Sequence, residues 1–555
     1  MLKRVEDRPT PPCVYNWRVW ALASIASFAS CMIGYDSAFI GGTIALTSFK
    51  NDFGGPLSAN TQANIVSAYQ AGAFVGAFAG YPLGYFWGRK WGLMATAVIF
   101  TIASIIMTIT SPSTGLTPIY VGRAIAGLAI GAASNLTPIY IAEISPSPMR
   151  GQAVGVYELG WQIGGVVGFW INYGVAETVK ISTEQWRIPF AVQLIPGGLF
   201  AIGCFFLIES PRWLISRGRV EEAKRNLSVI RQLDTDEPYF VDEFSLMQSS
   251  YAEDVRAAGG DDFWAPFRST FGSRELVKRL LFGSSLFFWQ NATGINAVNY
   301  YSPTVFKSLG ITGTNTGLLT TGVFGIIKTV GSLIYILFLV ETVGRRNLLM
   351  IGGLGGALSM YYIGGYIAIA KPQLKTSGSL DGAGISALVF FYIWTVFYSP
   401  TYNPTPWVIN AEMFPQHART IAQTSGSASN WLYNFAISRA TPYMFRDMGY
   451  GVYLFFASLM ILSVIYIFFL LPETKGVPIE SMNDLFSIRP VRHAHSQVMS
   501  ELQARERISD GMAPRGVGAT VDTLEKRTSH SGGSVTPDKD SQNEHGNTKL
   551  YTSPA

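Results

Sequence analysis

The sequence predicts an all-α membrane protein with twelve transmembrane helices in two parallel six-helix repeats, joined by a cytoplasmic helical linker. Of its 555 residues, 48% are hydrophobic and only 14% are charged, whereas soluble proteins carry roughly 25% charged residues. Residues 452–471, VYLFFASLMILSVIYIFFLL, contain no charge. At about 1.5 Å per residue this run is long enough to cross a hydrocarbon core of about 30 Å.

The spans can be placed along the chain by the same rule. We expect them to begin near Trp17, Ala63, Leu93, Thr117, Gly151, Phe190, Arg279, Gly317, Leu348, Gly384, Ile421 and Val452. An even number of spans puts both termini on one side, and the short loops on that side are rich in arginine and lysine, which predicts that it is cytoplasmic. The net charge of +5 therefore reports topology and does not indicate nucleic-acid binding. No cleaved signal peptide is expected ahead of the first span.

The side chains that carry most catalytic chemistry are few and scattered. Cys13, Cys31 and Cys204 fall in the N-terminal tail and in two predicted spans, where neither a disulfide framework nor a metal cluster is expected. No segment brings a nucleophile, a base and a metal site together. The sequence therefore predicts no enzyme, no cofactor and no metal.

Charged motifs in the loops recur in one order in both halves of the chain. Gly88-Arg89-Lys90 corresponds to Gly344-Arg345-Arg346, and Glu143 with Arg150 corresponds to Glu412 with Arg419. Such repetition, with an even number of spans per unit, indicates parallel repeats of the kind found in transporters. Topological charge alone explains the arginines but not the carboxylates. We expect ion pairs that close the cytoplasmic side, formed by Arg89, Glu143, Arg150, Glu209, Arg212, Glu341, Arg345, Glu412, Arg419 and Glu473.

Composition divides the chain into five parts. They are a cytoplasmic N-terminal tail (1–16), a six-helix half (17–212), a cytoplasmic helical linker (213–278), a second six-helix half (279–486) and a cytoplasmic tail (487–555). The last part is rich in Ser, Thr, Gly, Lys and Asp and poor in aromatic residues, which predicts disorder and a segment available to regulatory machinery.

One polar stretch inside the membrane looks like the wall of a binding site. Residues 287–303 read FFWQNATGINAVNYYSP, and Gly294 allows the backbone to bend there. Side-chain amides and hydroxyls can donate and accept hydrogen bonds, as recognition of a polyhydroxylated ring requires. The alternative is that these groups only join neighbouring helices. The groups concerned belong to Gln290, Asn291, Asn296, Asn299 and Tyr300.

Taken together, the motifs resemble those of the sugar porter family of the major facilitator superfamily over residues 17–486. They are Gly34-Tyr35-Asp36, Gly122-Arg123, Pro138-x-Tyr140-x-x-Glu143, Arg150-Gly151, Glu209-Ser210-Pro211-Arg212, the stretch 287–303, Glu341-x-x-Gly344-Arg345-Arg346, Pro406-Trp407 and Pro472-Glu473-Thr474-Lys475-Gly476. Within the family, VEDRPTP and SCMIGYDSAFIGGT are more similar to fungal quinate permeases than to hexose carriers. Quinate is a carboxylated polyol ring.

The resemblance implies roles for residues of the second half. It implies that Gln290, Asn291, Asn296 and Tyr300 contact ligand hydroxyls, that Trp407 stacks on the ring, and that Asn430 and Asn434 close the site from the eleventh span. A sugar-like ring face suits an indole surface.

Two positions depart from the hexose carriers. Glu158 replaces a glutamine in the fifth span, and Lys328 replaces an asparagine in the eighth. A lysine within a span is costly and should face a cavity or a partner. We hypothesise that Lys328 binds the substrate carboxylate; the alternative is a standing ion pair with Glu158, and substrate could also displace Glu158 from Lys328.

Asp36 and Arg123 are the other charges predicted inside spans. The resemblance to proton-coupled members implies that they form a proton-coupling pair, and the alternative is a permanent structural bridge. A further departure is Tyr85, where the family motif usually has an aspartate.

The sequence thus predicts a plasma-membrane, multi-pass transporter, with both termini cytoplasmic, that imports quinate or a similar polyol acid with a proton. The alternatives are a monosaccharide or polyol porter and a nutrient sensor that does not transport.

Overall fold

The computed structural model describes residues 10–311, 313–339, 342–372, 381–478 and 481–509, and within them every regular element is helical. The predicted all-α class is confirmed. The first half consists of α1 Trp17–Ala45, α2 Thr47–Asp52, α3 Ala59–Phe86, α4 Gly88–Thr108, α5 Thr117–Ile144, α6 Arg150–Thr178, α7 Thr183–Val192 and α8 Leu194–Phe206.

The second half follows four linker helices. The linker contains α9 Pro211–Ser216, α10 Val220–Arg231, α11 Pro238–Ala258 and α12 Ala265–Gly272. The second half consists of α13 Arg274–Ala292, α14 Ile295–Ser308, α15 Thr314–Ile334, α16 Arg345–Ala370, α17 Gly382–Tyr398, α18 Thr405–Glu412, α19 Arg419–Met448 and α20 Gly451–Leu470. Counting α7–α8, α13–α14 and α17–α18 as interrupted spans, the described residues contain the twelve predicted spans. The largest error in a start is at Phe190, since α7 begins at Thr183.

Length and hydropathy alone identify seven of these spans as able to cross a membrane. Among the described residues, five spans are too short or too polar to be identified in this way. They are α3, α6, α13–α14, α17–α18 and α19, which are interrupted or carry many polar and glycine residues. Polar or irregular backbone at membrane depth is tolerated where it is buried in protein or lines a cavity. The less apolar spans are therefore the ones expected to surround a site.

Small residues let the helices of the first half approach closely. A Cβ at Gly127 or Gly131 of α5 would overlap the carbonyl oxygen of Tyr69 or Ala73 on α3. Such close backbone packing is the usual means of association between helices in lipid. Between the halves, α1 packs on α14, α3 on α19 and α6 on α15.

The linker has a small hydrophobic core of its own. Leu214, Leu227, Phe240 and Phe244 are buried in one cluster. We call the end of the bundle next to α9–α12 the linker side.

The prediction of disorder from residue 487 onward is wrong for its first part. The structure has α21 at Met482–Ser487 and α22 at Val491–Ser509. Val491, Ala494 and Val498 are buried, and their helical spacing makes an apolar stripe within a polar sequence. The described residues up to His495 belong to one compact unit, and those from Ser496 to Ser509 belong to a second. The tail beyond residue 509 and Glu341 lie outside the described residues.

Candidate functional site

A cavity of about 60 Å³ lies between the two halves. Since a water needs roughly 10–15 Å³ of such space, the cavity has room for only a few waters and must widen to admit a ring-sized ligand. The structure places every predicted substrate-binding residue on its lining. These are Glu158, Gln290, Asn291, Asn296, Asn299, Tyr300, Lys328, Trp407, Asn430 and Asn434.

A break in the seventh span brings its amides to the cavity. Gly294 separates α13 from α14 with φ +86°, and a Cβ there would lie 2.9 Å from the Phe456 ring. Positive φ is easily adopted by glycine and not by other residues. Across the break, Asn296 Nδ2 donates to Asn291 Oδ1, and Asn291 Nδ2 donates to Asn430 Oδ1 at 3.2 Å. The turn therefore gathers three amides from α13, α14 and α19.

Two amide oxygens at the cavity lack a hydrogen-bond donor among the described residues. Gln290 Nε2 donates to the Tyr402 and Asn403 carbonyl oxygens at 3.0 and 2.7 Å, but Gln290 Oε1 has no partner. Asn299 Oδ1 is likewise buried without one. A buried acceptor left unpaired is costly. Both oxygens are thus suited to accept hydrogen bonds from ligand hydroxyls.

Tyr300 is held between the halves. Its side chain is buried, Asn434 Nδ2 lies 3.5 Å from its hydroxyl, and the backbone of Gly41 in α1 packs against its own backbone. Ser438 Oγ in turn donates to Asn434 Oδ1 at 3.0 Å. A shift of α14 relative to α1 would therefore move the Tyr300 hydroxyl relative to Asn434.

Aromatic side chains provide the apolar part of the cavity wall. Trp407 packs edge-on against Phe287 with ring centroids 4.6 Å apart. Trp161, which the sequence reading missed, also lines the cavity and stacks nearly parallel to Trp431 at 6.5 Å. Its position three residues after Glu158, on the same face of α6, is the signal that would have found it.

Asn403 is a second residue that the sequence reading missed. It lies in the break between α17 and α18, next to Pro404, and lines the cavity. Asn403 Nδ2 donates to Glu158 Oε1 at 2.8 Å, and Gln162 Nε2 donates to the same oxygen at 2.6 Å. Two amides therefore hold the Glu158 carboxylate.

Lys328 faces the same cavity from the second half and is only 8% exposed. Within the part of the chain that the structure describes, its ammonium has no hydrogen bond and no carboxylate oxygen within 4.0 Å. The standing ion pair with Glu158 is absent from this conformation. A buried ammonium without a partner is a high-energy arrangement that an incoming anion would relieve.

Asp36 and Arg123 form a completely buried but loose pair. Arg123 Nη1 lies 3.4 Å from Asp36 Oδ1, and both side chains are 0% exposed. Charge-assisted hydrogen bonds are usually about 2.7–2.9 Å long. In the described structure Asp36 Oδ2, Arg123 Nε and Arg123 Nη2 make no hydrogen bond. Neither residue lines the cavity, although the neighbouring Ser37 does.

On the linker side, equivalent ion pairs occur in both halves. Arg89 Nη2 lies 2.8 Å from Glu143 Oε1, and Arg345 Nη2 lies 2.8 Å from Glu412 Oε1. Each pair joins helices of one half. The repeat predicted from the charged motifs is thus matched by equivalent contacts.

Two further carboxylates cap helices at corresponding places. Glu209 accepts from the Arg89 backbone N–H at 2.8 Å, and Glu473 accepts from that of Arg345 at 2.8 Å. Both carboxylates lie at the N-terminus of a helix, where the helix dipole favours negative charge. Gly88, with φ +88°, makes room for the Glu209 carboxylate.

The remaining predicted gate residues have different surroundings. Arg212 of α9 pairs with Asp254 of α11 at 3.2 Å. Burial raises the pKa of Asp254, while Arg212, His417 and Arg419 oppose that rise. Among the described residues the Arg419 guanidinium forms no hydrogen bond or ion pair, whereas Arg150 does have an interaction.

Comparisons with known proteins give a consistent result. Residues 22–486 match the family described as "Sugar (and other) transporter". The chain is 57% identical over 511 residues to a probable quinate permease of Aspergillus flavus, covering 91% of this chain and 95% of the relative. It is 55% identical over 510 residues to a quinate permease of Emericella nidulans, with coverage of 91% and 95%.

Solved structures agree with the fold. The chain is similar to the proton:xylose symporter XylE bound to 6-bromo-6-deoxy-D-glucose, with a TM-score of 0.70, 27% identity and coverage of 84% of this chain and 99% of the other. It is also similar to XylE of E. coli in a partially occluded inward-open conformation, with a TM-score of 0.69, 25% identity and coverage of 83% and 99%.

Proposed function

The chain belongs to the sugar transporter family of the major facilitator superfamily, and on that premise we propose that it imports quinate together with a proton by alternating access. The family consists of transporters and not of enzymes. The observation that carries the choice of an acid is the unpaired Lys328 ammonium in a cavity lined mainly by amides and aromatic rings. The relatives named quinate permeases support the same choice.

The cavity offers complementary partners for each part of quinate. The carboxylate pairs with Lys328, because a buried charge is stabilised by an opposite charge at hydrogen-bond distance. The ring hydroxyls donate to Gln290 Oε1 and Asn299 Oδ1, which have no donor within the described part of the chain. The apolar ring face lies against Trp407 and Trp161. Glu158, held by two amides, keeps the site from accepting the acid in the reverse orientation, because two carboxylates repel each other.

Proton coupling is assigned to Asp36 and Arg123. A carboxylate at 0% exposure stays ionised only while an opposite charge compensates it. Both residues lie in the first half, so when the rocking motion shifts α1 against α5 and moves Arg123 to another partner, the carboxylate takes up a proton. The transport cycle thereby links a conformational change to proton movement.

Alternating access requires the halves to separate on one side at a time. On the side opposite the linker, Arg439 Nη2 of α19 donates to Asn60 Oδ1 of α3 at 2.9 Å, and the Tyr443 hydroxyl donates to the same oxygen at 3.1 Å. These contacts join the halves there. We assign residues 17–212 and 279–486 to the two moving halves and the linker side to the cytoplasm of a plasma-membrane protein.

The deciding experiment is uptake of labelled quinate by a host that lacks the activity, at two external pH values. Greater accumulation at the lower pH supports proton-coupled import. Equal uptake at both pH values, with no accumulation above the external concentration, would contradict coupling.

The amide-rich wall also suits a neutral sugar or polyol, which the family description allows. Competition by unlabelled glucose and shikimate separates the two substrates. Strong inhibition by shikimate, but not by glucose, supports the acid; the opposite result supports a sugar porter. Flux in reconstituted vesicles excludes a sensor that does not transport.

A further inference from the structure

Large aromatic side chains form an exposed surface on the linker side. We call this surface the aromatic ridge, and it consists of Phe86, Trp87, Trp91, Trp264 and Phe271, each more than half exposed. The first three lie where α3 ends and α4 begins, whereas the last two flank and end α12 of the linker. Large exposed apolar side chains that cluster in this way mark an interaction site.

The linker part of the ridge is fixed to the membrane-spanning part. The Phe263 ring stacks on Phe86 with centroids 5.4 Å apart and planes 13° from parallel. The Tyr81 hydroxyl donates to the Phe263 carbonyl oxygen at 2.8 Å, and Phe267 packs edge-on against the Tyr81 ring at 5.1 Å. Phe263 and Phe267 therefore attach the linker to α3. Because of this attachment, the exposed rings of Trp264 and Phe271 are held at the level of the end of α3.

The ridge continues the lipid-facing surface of α3. Val75 and Phe78 are 57% and 51% exposed on this helix, and Phe86 follows at helical spacing. A membrane protein exposes such a stripe to acyl chains, and tryptophan is enriched where that stripe reaches the head groups. Since the ridge is continuous with this lipid-facing stripe, we infer that the lipid bilayer is what contacts the ridge.

Two of the basic side chains near the ridge are paired with carboxylates within the protein. Arg268 pairs with Asp262, and Lys278 lies 2.9 Å from Glu275. The Lys90 ammonium donates to the Phe205 carbonyl oxygen at 3.0 Å. We therefore expect attachment at the ridge to depend mainly on burial of the aromatic rings, with a smaller contribution from the charge that Lys90 retains.

We propose that the linker is anchored in the head-group layer of the bilayer through Trp264 and Phe271. The Trp264 indole has an apolar body and a polar N–H, which makes it stable at that depth, and the Phe271 ring adds apolar surface. The anchor holds α12 at the membrane surface, where it lies next to the start of α13 and its neighbour Phe263 stacks on the end of α3. The proposal is independent of the substrate and of proton coupling.

Spin labels on the full-length chain in phosphatidylcholine vesicles test the proposal. Cys13, Cys31 and Cys204 are replaced by serine, and Trp264→Cys and Phe271→Cys are labelled with a nitroxide in separate variants. Collision rates are measured with oxygen, which concentrates in lipid, and with a neutral nickel chelate, which stays in water. Monodisperse elution of each variant verifies folding.

Two reference positions calibrate the measurement. Val98→Cys on the exposed face of α4 reports lipid, and Glu253→Cys on the exposed surface of α11 reports water. Labels at 264 and 271 should collide with the chelate several-fold less often than the label at 253, and their oxygen collision rates should lie between those at 253 and 98, with little change when anionic lipid is added. Chelate collisions as frequent as at 253 would overturn the proposal. Low collision rates with both reagents would also overturn it, because they would mean that protein covers the ridge.

Discussion

Replacing Lys328 by asparagine removes the unpaired ammonium that we assign to the substrate carboxylate. The residue is 8% exposed and lines the cavity. A hydrogen bond to a charged group contributes about 1.5–3 kcal/mol, and each 1.4 kcal/mol is a factor of ten in binding. Lys328→Asn should therefore raise the KM for quinate by about 10- to 100-fold.

The assay is initial-rate uptake of labelled quinate over a concentration series, with expression at the membrane measured in the same cells. Lys307→Asn makes the same chemical change at an exposed position at the end of α14 and serves as the matched control. It should leave the KM within about twofold of the wild type, because exposed charges contribute little.

Two outcomes would contradict the assignment of Lys328 to the substrate carboxylate. If Lys328→Asn transports quinate with an unchanged KM, the ammonium does not bind the carboxylate. If inhibition by a neutral polyol weakens as much as quinate uptake, the lysine acts on the shape of the whole site and not on the acid group.

Three further outcomes are expected. Asp36→Asn should abolish accumulation of quinate against its gradient and remove the dependence on external pH while leaving exchange intact; accumulation by this variant would exclude coupling through Asp36. Gly294→Ala should lower the Tm of the purified protein, because left-handed backbone costs a non-glycine residue about 1–2 kcal/mol and the Cβ would contact Phe456. Gly365→Ala, which meets no atom within 4 Å, is its control, and equal Tm values would contradict the explanation. Glu209→Gln should destabilise the protein by about 0.3–1 kcal/mol through loss of charge at the helix terminus, measured as a lower Tm; an unchanged Tm would show that the carboxylate adds nothing beyond its hydrogen bonds.

Much of the fold follows from local properties of the chain. Hydropathy and loop charges are read over about twenty residues, so they located spans such as α1 and α5 at their observed starts. The same reading was wrong for residues 491–509. The composition of this segment is polar on average, and an average over both faces of a helix does not reveal an apolar stripe on one face. Val491, Ala494 and Val498 form such a stripe and are buried.

The site was predicted in part. The amides of 287–303 were recognisable because polar groups are rare within apolar spans. Trp161 was missed because an aromatic residue in a span is ordinary in sequence. Asn403 was missed because it becomes significant only where the break after α17 brings it to Glu158.

The sequence by itself determined the class of the protein, its spans, its repeated charged motifs and the chemical groups available for binding a polyol acid, since each depends on residue type and spacing along one segment. Only the tertiary structure decided which groups are partners. Glu158 and Lys328 have opposite charges that suggest an ion pair in sequence, but Gln162 and Asn403 hold the carboxylate instead. Partner choice depends on distances between helices far apart in the chain, and in the described structure those distances left Lys328 facing the cavity with no carboxylate oxygen within 4.0 Å.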